Sequence, residues 1–402
     1  MRLPLITEID SRDGTANKDE RLTNVLVEAT RSSKKAVVRP GLELNLAASG
    51  VGNGLTVFNN ELVGVYGTAL YLVNPFSVVA GTMPTGGALW SPPAWNGTVY
   101  CSVAASTAYA AISVDGKGWR RTSLPASRGW RAIEWNGTVF CAIAGTVATD
   151  KCATSPDGIT WTERTMSSTR AWHDIAWDGT KFCATVANST VAAVSADGAT
   201  WADITLPSES SGEICSIDNK ILLAPKRYQA SDYVSISADQ GSTWSQVAIS
   251  GLNTNNAYGF GVFGDRVFLF PSSYNVQTPT SSAFVSNDFG LTWAAMTIPS
   301  VDYVSKGAGN SYRFVTAGSV ASSAPPSSVG LTTTNGETWE TFDLPLTTVI
   351  GVPVDDTWNG AGTDGNGFAL VTYAYNGAAS IPDLVTIGTV SGTSFDFAQS
   401  PI

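Results

Sequence analysis

From Gly54 onward, short apolar runs alternate with turn residues at close and even intervals along the chain. Runs of this length, bounded by Gly, Asn and Asp, predict β-strands and not helices. The clearest turns are Trp95-Asn96-Gly97-Thr98-Val99-Tyr100, Trp135-Asn136-Gly137-Thr138-Val139-Phe140 and Trp177-Asp178-Gly179-Thr180-Lys181-Phe182. Asn-Gly and Asp-Gly between apolar runs signal a hairpin, because both residues tolerate the positive φ of its tight turn. Relatives at Asn59-Asn60, Asp218-Asn219, Gly264-Asp265, Gly309-Asn310 and Asp364-Gly365-Asn366 bring the hairpins to eight.

A second turn follows most of these hairpins with a fixed grammar. It reads Ser113-Val114-Asp115-Gly116-Lys117-Gly118-Trp119, then Ser155-Pro156-Asp157-Gly158-Ile159-Thr160-Trp161, then Ser195-Ala196-Asp197-Gly198-Ala199-Thr200-Trp201. Two copies gain a residue, Ser237–Trp244 around Asp239 and Ser286–Trp293 around Asp288; a sixth has drifted to Thr333–Trp339 around Asn335. A seventh can be argued at Thr389–Phe395, where Asp and Trp are both replaced. The closing aromatics stand 42, 40, 43, 49, 46 and 56 residues apart, a period that points to a repeat array such as a propeller. Two hairpins per unit give the four strands of one blade. The predicted fold is therefore all-β: a β-propeller of seven to eight four-stranded blades, eight by hairpin count, over residues 51–402. Residues 1–50 are predicted to form an extended N-terminal arm. The C-terminal unit, Gly367–Phe397, is expected to pair with a strand from Leu42–Leu46 and lock the ring.

These turns resemble the Asp-box, or BNR repeat, of sialidases, sortilin-like receptors and many phage and bacterial propellers, over about Gly54 to Phe395. Their physics is local. The carboxylates of Asp115, Asp157, Asp197, Asp239 and Asp288, and the amide of Asn335, can accept nearby backbone N–H groups, while Gly supplies a positive φ. Trp119, Trp161, Trp201, Trp244, Trp293 and Trp339 are expected to anchor the fourth strand against a neighbouring blade; losing one should cost about 3–5 kcal/mol. The box marks a blade and carries no reacting group.

Composition narrows the chemistry. The net charge of −10 disfavours wrapping of DNA or of an anionic membrane. No apolar run is long enough for a membrane helix, and the opening Met1–Glu8 turns acidic before a signal-peptide core could form, so an ordinary export leader is not expected. The five cysteines include no CxxC pair; Cys101, Cys141 and Cys183 recur at one place after a hairpin and read as small buried strand residues. No cofactor, metal site or disulfide is expected, and a lone Asp per box is a poor calcium site.

A sialidase-like site would need three arginines around a carboxylate, with a Tyr nucleophile and an acid/base. Arg227, Arg266 and Arg313, with Tyr228, Tyr312 and Tyr373, are the available residues, and nothing in the sequence ties them together. The single histidine, His173, is expected at a blade edge without a catalytic role. Asp355-Asp356 and Asp19-Glu20 read as solvated loop charges. Arg120-Arg121, with Arg128 and Arg131, form the densest basic stretch and are read as a solvated turn or a partner-facing patch. The chain is expected not to be an enzyme.

The first forty residues differ from the rest, with 8 basic and 6 acidic groups in Met1–Pro40. Lys18–Glu28, followed by Val37–Leu42, is similar to the opening of tail hub or nozzle proteins of short-tailed bacteriophages, which run Arg-Leu-x-Asn, an acidic residue, a basic stretch and Arg-Pro-Gly. Arg21, Asn24, Glu28 and Arg39 match that pattern; Thr23 and the box-rich propeller depart from it. The resemblance implies a virion tail protein, a homohexameric ring below portal and adaptor, with tail fibre or tailspike neighbours. DNA would pass through it without tight binding. The arm would strap one subunit to the next. A receptor- or glycan-binding propeller of a phage tail is the alternative, and a sialidase-like hydrolase a more distant one.

Overall fold

The computed structural model describes residues 25–29, 34–38, 43–44 and most of 52–399. Within that span 59–60, 67–68, 75, 85–87, 106, 227–231, 254–257, 272–279, 302, 311–312, 321–326, 345–346, 350–351, 355–356, 365–366, 374–383 and 391–393 lie outside the described residues. Every described element is a strand, and no helix among the described residues is long and apolar enough to cross a membrane. Two compact units result: Val78–Gly388, and Met1–Ser77 together with Thr389–Ile402. The division thus falls at Ser77/Val78 and not at residue 50, because strands up to Asn74 pair with the C-terminal strand Ser394–Gln399.

Among the described residues the larger unit holds seven blade sheets, and a two-stranded pair, Thr347–Val349 with Val352–Val354, between the sixth and seventh. Blade 1 runs from Ala88–Trp90 and Ala94–Trp95, which share one position, through Tyr100–Ala105 and Thr107–Ser113 to Arg120–Arg128. Blade 2 is Trp130–Trp135, Phe140–Ala144, Thr149–Ser155 and Thr162–Arg170; blade 3 begins at Trp172–Trp177, blade 4 at Ser210–Ile217 and blade 5 at Tyr258–Phe263. Blade 6 begins with Tyr303–Val304 and Ala308–Gly309, and blade 7 is Thr357–Thr363, Gly367–Tyr373, Leu384–Val390 and Phe76–Thr82. First strands of successive blades touch one another and therefore surround the axis, while fourth strands lie outermost. Closure follows from backbone contacts: Ala361 N–H donates to Lys306 O at 2.8 Å between blades 6 and 7. Gly362 of blade 7 lies so near blade 1 that a Cβ there would collide with Pro93 O.

Among the described residues the ring has seven blades, the lower of the two counts. Seven of the eight hairpins open them; the eighth, Phe58 to Glu61, belongs to the other unit. There the sheet order is Gly52–Phe58, Glu61–Tyr66, Ala69–Asn74, Ser394–Gln399 and Glu43–Leu44, with Glu43 opposite Ser394 and Leu44 opposite Phe395 in parallel. The expected pairing of Leu42–Leu46 with the C-terminal strand exists, but the strand that locks the ring is Phe76–Thr82. The seventh box copy is not a box. Its flanking strands, Leu384–Val390 and Ser394–Gln399, join different sheets, and it lacks the Asp and Trp that hold third and fourth strands together. In the arm, Val25–Ala29 and Lys34–Val38 form an antiparallel pair with Glu28 opposite Lys35; Arg21, Asn24 and Arg39 lie outside the described residues.

The core lies between blades, not at the axis. One cluster joins Cys101, Val103 and Ile112 of blade 1 to Trp130 and Phe140 of blade 2, with the box residue Trp161 against it. The box glycine completes this interlock. Gly158 has φ +71°, and a Cβ there would stand 2.8 Å from Ile112 Cγ2 and 3.2 Å from Cys101 Sγ; Gly198 approaches Cys141 Sγ in the same way. Cys101 and Cys141 are thus small residues on which the next blade's box sits, whereas Gly241 of the following box meets Ile204 and Val194 instead of Cys183; all five cysteines are buried. Gly158→Ala is expected to cost about 2–3 kcal/mol in urea unfolding, by backbone strain plus overpacking. Gly97→Ala, with φ +95° but open space around it, isolates the backbone term at about 1 kcal/mol.

Candidate functional site at the propeller axis

The box carboxylates are engaged by their own turns, and every box tryptophan but Trp339 donates its indole N–H to its box glycine. In blade 2, Asp157 Oδ1 accepts from Ile159 N and Thr160 N at 2.8 Å each and from Ser155 Oγ at 3.0 Å, while Trp161 Nε1 donates to Gly158 O at 3.0 Å. Blades 3, 4 and 5 repeat the scheme on Asp197, Asp239 and Asp288, with Trp201, Trp244 and Trp293 bonded to their box glycines. In the two lengthened boxes Gln240 and Phe289 absorb the extra residue at φ 64° and 61°. Asp115 accepts from Lys117 N and Gly118 N. The amides of Thr200 and Ala199 hold Asp197 below the ordinary carboxylate range, against a smaller opposing effect of burial. Asn335 receives Glu337 N and Thr338 N at 2.8 Å with no charge at all. Asp197→Asn is therefore expected to change stability by under about 0.5 kcal/mol and Asp197→Ala to cost about 1–2 kcal/mol, read by denaturant unfolding at neutral pH.

Of the three arginines available to a sialidase-like site, the two described ones are engaged in separate structural contacts. Arg266 reaches from blade 5 to the box of blade 6, bonding Asn335 O and Glu337 Oε1. Arg313 is buried within blade 6 and donates to Thr332 Oγ1 at 3.2 Å. Arg227, Tyr228 and Tyr312 lie outside the described residues. The basic stretch is also split by the fold. Arg120, Arg121 and Arg128 sit on the outermost strand of blade 1, Arg121 over the Tyr109 ring and Arg128 paired with Glu163 of blade 2 at 2.6 Å. Arg131 begins the next blade at the axis, where its Nε donates to His173 O at 3.0 Å.

The ionisable groups that do converge come from first strands of four blades. Lys306, between the two short first-strand segments of blade 6, donates to both oxygens of Asp174 in blade 3, at 3.1 and 3.0 Å. Its own carbonyl is held by blade 7, so one residue ties three blades across the axis. Asp174 is buried and also accepts from Ile175 N at 2.9 Å and Ile214 N at 3.4 Å. Glu134 of blade 2 accepts from Trp135 N at 3.0 Å. Glu213 of blade 4 lies 3.9 Å from His173 Nδ1, which has no hydrogen-bond partner among the described residues. His173 thus lies on the edge strand of blade 3 that faces the axis, among charged groups, with its side chain 18% exposed. Burial, then the nearby Arg131 charge, pushes its imidazole down to about 4, so it is neutral at pH 7. Burial pushes Glu134 and Glu213 up to about 7, opposed in both by Lys306. Lys306 is pulled the other way, above the ordinary lysine range: burial opposes its charge, and Asp174, Glu134 and Glu213 outweigh it.

Sequence reading missed Lys306, Glu134, Asp174 and Glu213. The available signal was the presence of ionisable residues inside the short apolar segment before a hairpin: Arg131 and Glu134 before Asn136, His173 and Asp174 before Asp178. It also missed Trp90, Trp130 and Trp172, fully buried at 40- and 42-residue spacing, where the first strands pack between blades. Among the described residues no group of three His, Cys, Asp or Glu side chains stands in metal-binding geometry.

The fold recurs in solved structures that share little sequence with this chain. A streptogramin B lyase superposes with a TM-score of 0.57 at 10% identity, covering 78% of this chain and 98% of that one. A virginiamycin B lyase from Staphylococcus aureus gives 0.59 at 10% identity, covering 78% and 99%. YCF48 bound to a D1 peptide gives 0.55 at 13% identity, covering 79% and 97%. These likenesses establish the β-propeller fold and nothing finer. No protein-family model matches the chain, and no curated protein does.

Proposed function

We propose that this chain is a structural protein of a short-tailed phage tail, a hub or nozzle subunit that assembles into a ring of six through its N-terminal arm. The observation that carries the reading is the arm: Arg21-Leu22-Thr23-Asn24, Glu28 and Arg39-Pro40-Gly41 stand in the order of a tail-hub opening, ahead of a propeller whose box carboxylates and arginines are engaged in turns and blade contacts. The charge balance is compatible, since the 362 residues after Pro40 carry 15 basic and 27 acidic groups and repel phosphate. A ring of this kind would be cyclic and heterologous, each subunit offering one face to its neighbour's other face. Light scattering and negative-stain images of the full chain are expected to give a six-fold ring, and removal of residues 1–45 a folded monomer. A monomeric full-length chain, or a truncated chain that still forms rings, overturns the proposal.

A second reading, an enzyme, is favoured by one observation. One similar structure is a virginiamycin B lyase made catalytically inactive by a histidine-to-alanine substitution, with quinupristin, and this chain's only histidine lies in the axial charge cluster. The neutral, partly buried His173 fits a structural place better. Quinupristin incubated with the protein is expected to keep its chromatographic retention and fragmentation pattern, which ring opening would change; its conversion by the wild type but not by His173→Ala would establish the enzyme reading.

A further inference from the structure

The first strands of blades 1, 2 and 3 end on Trp95, Trp135 and Trp177, and each leads into the same kind of tight turn. First strands of successive blades run side by side in one direction, so the three residues form an arc near the axis on one face of the ring, the face that carries the boxes. All three are built alike. Their cross-strand partners are Tyr100, Phe140 and Phe182, with ring centroids 4.7, 4.7 and 4.9 Å apart, and their inner sides pack on inter-blade cores. Their outer sides face water. Each is half-buried, and none of the three indole N–H groups is buried or bonded among the described residues. On the same blades the box residues Trp119, Trp161 and Trp201 instead donate to their own glycines.

The turns add further donors and no obstruction. Asn96 Oδ1 accepts from Thr98 N and Val99 N at 2.9 and 2.8 Å, and Asn136 Oδ1 from Thr138 N and Val139 N at 2.9 and 2.7 Å. With that oxygen pinned to the turn, each Nδ2 is left without a partner among the described residues. A Cβ at Gly97 or Gly137 would meet nothing within 4 Å. The row stops at blade 3, where a Cβ at Gly179 would stand 2.5 Å from Oδ1 of Asn219 in blade 4. Blades 4 to 7 end their first strands on Ile217, Phe263, Gly309 and Thr363.

We propose that this arc of three tryptophans binds a neutral polysaccharide. An indole with one side in the core and one side wet offers a rigid apolar surface to the C–H face of a sugar ring. The unbonded N–H groups of the indoles and of Asn96 and Asn136 suit hydroxyl and ring oxygens as acceptors. Three like stations, one blade apart, suit a polymer whose own units repeat. Charge selects against an acidic one: the chain carries −10, and within the three turns Asp178 and Lys181 cancel. The surface does not depend on a tail role.

The test is affinity electrophoresis of the full chain in native gels cast with dextran, mannan or xylan, with hyaluronan as the acidic control. At least one neutral polymer is expected to retard the chain more than hyaluronan does. Trp95→Phe/Trp135→Phe/Trp177→Phe keeps a ring against each inter-blade core and removes the outward indole N–H; it is expected to weaken the retardation at least about tenfold. No retardation by any of the three neutral polymers, equal retardation by hyaluronan, or an undiminished effect in the triple variant overturns the proposal. If that variant does not fold, oxidation of the wild type by N-bromosuccinimide decides. Protection of Trp95, Trp135 and Trp177 by the retarding polymer, read by peptide mass, supports the surface, and oxidation that the polymer leaves unchanged sinks it.

Discussion

Lys306→Met is expected to cost about 3–5 kcal/mol of unfolding free energy, the largest single loss outside the core. Replacing it removes both hydrogen bonds to a buried carboxylate and leaves Asp174 with only the amides of Ile175 and Ile214. The substitution also removes the cation that opposes the upward shift of Glu134 and Glu213, so the loss should be larger at pH 8 than at pH 6. A broken buried pair is costly chiefly because of the charge left behind. Lys306→Met/Asp174→Leu, which deletes both partners, is therefore expected to recover most of the deficit. A double-mutant cycle by urea unfolding measures this; equal losses for the single and double variants would mean that Lys306 acts through its apolar stem or backbone contacts instead.

Trp130→Ala is expected to cost a comparable amount, about 3–5 kcal/mol, by leaving a large cavity between blades 1 and 2. Trp130 is fully buried, packs with Cys101, Ile133 and Phe140, and donates from Nε1 to Ala126 O at 3.1 Å. The box residue Trp161 bounds the same cluster but is only half-buried, with its indole N–H on Gly158 O. Trp161→Ala should cost less, about 1–3 kcal/mol. That ranking reverses the weight the repeat signature gives to the box tryptophans. Chemical denaturation of the two variants side by side checks it, and equal losses would count against it.

The strands and turns were legible because they are local. Asn136-Gly137 writes its hairpin into two residues: Asn136 Oδ1 receives Thr138 N and Val139 N at 2.9 and 2.7 Å, and Gly137 takes φ +94° with nothing near it. The boxes are equally local, the side-chain oxygen of each Asp or Asn accepting from amides within four residues. Their repetition implies an array of similar sheets, and the same locality explains what it could not fix. A hairpin signal at Asn59-Asn60 is identical in kind whether its sheet lies in the ring or outside it, so the count of blades stood open between seven and eight. Arg128 and Arg131 are three residues apart, yet a fourth strand ends and a first strand begins between them, which sends one to the outer rim and the other to the axis.

By itself, then, the chain determined its strands, its hairpin and box turns, and the small buried residues on which the boxes sit, because each depends on bonds between near neighbours. Only the tertiary structure decided which strand completes blade 7, where the two units divide, and which charges meet at the axis. Lys306 and Asp174 are 132 positions apart in sequence. No local preference links them; ring closure brings them to hydrogen-bonding distance, and burial then makes their charges matter.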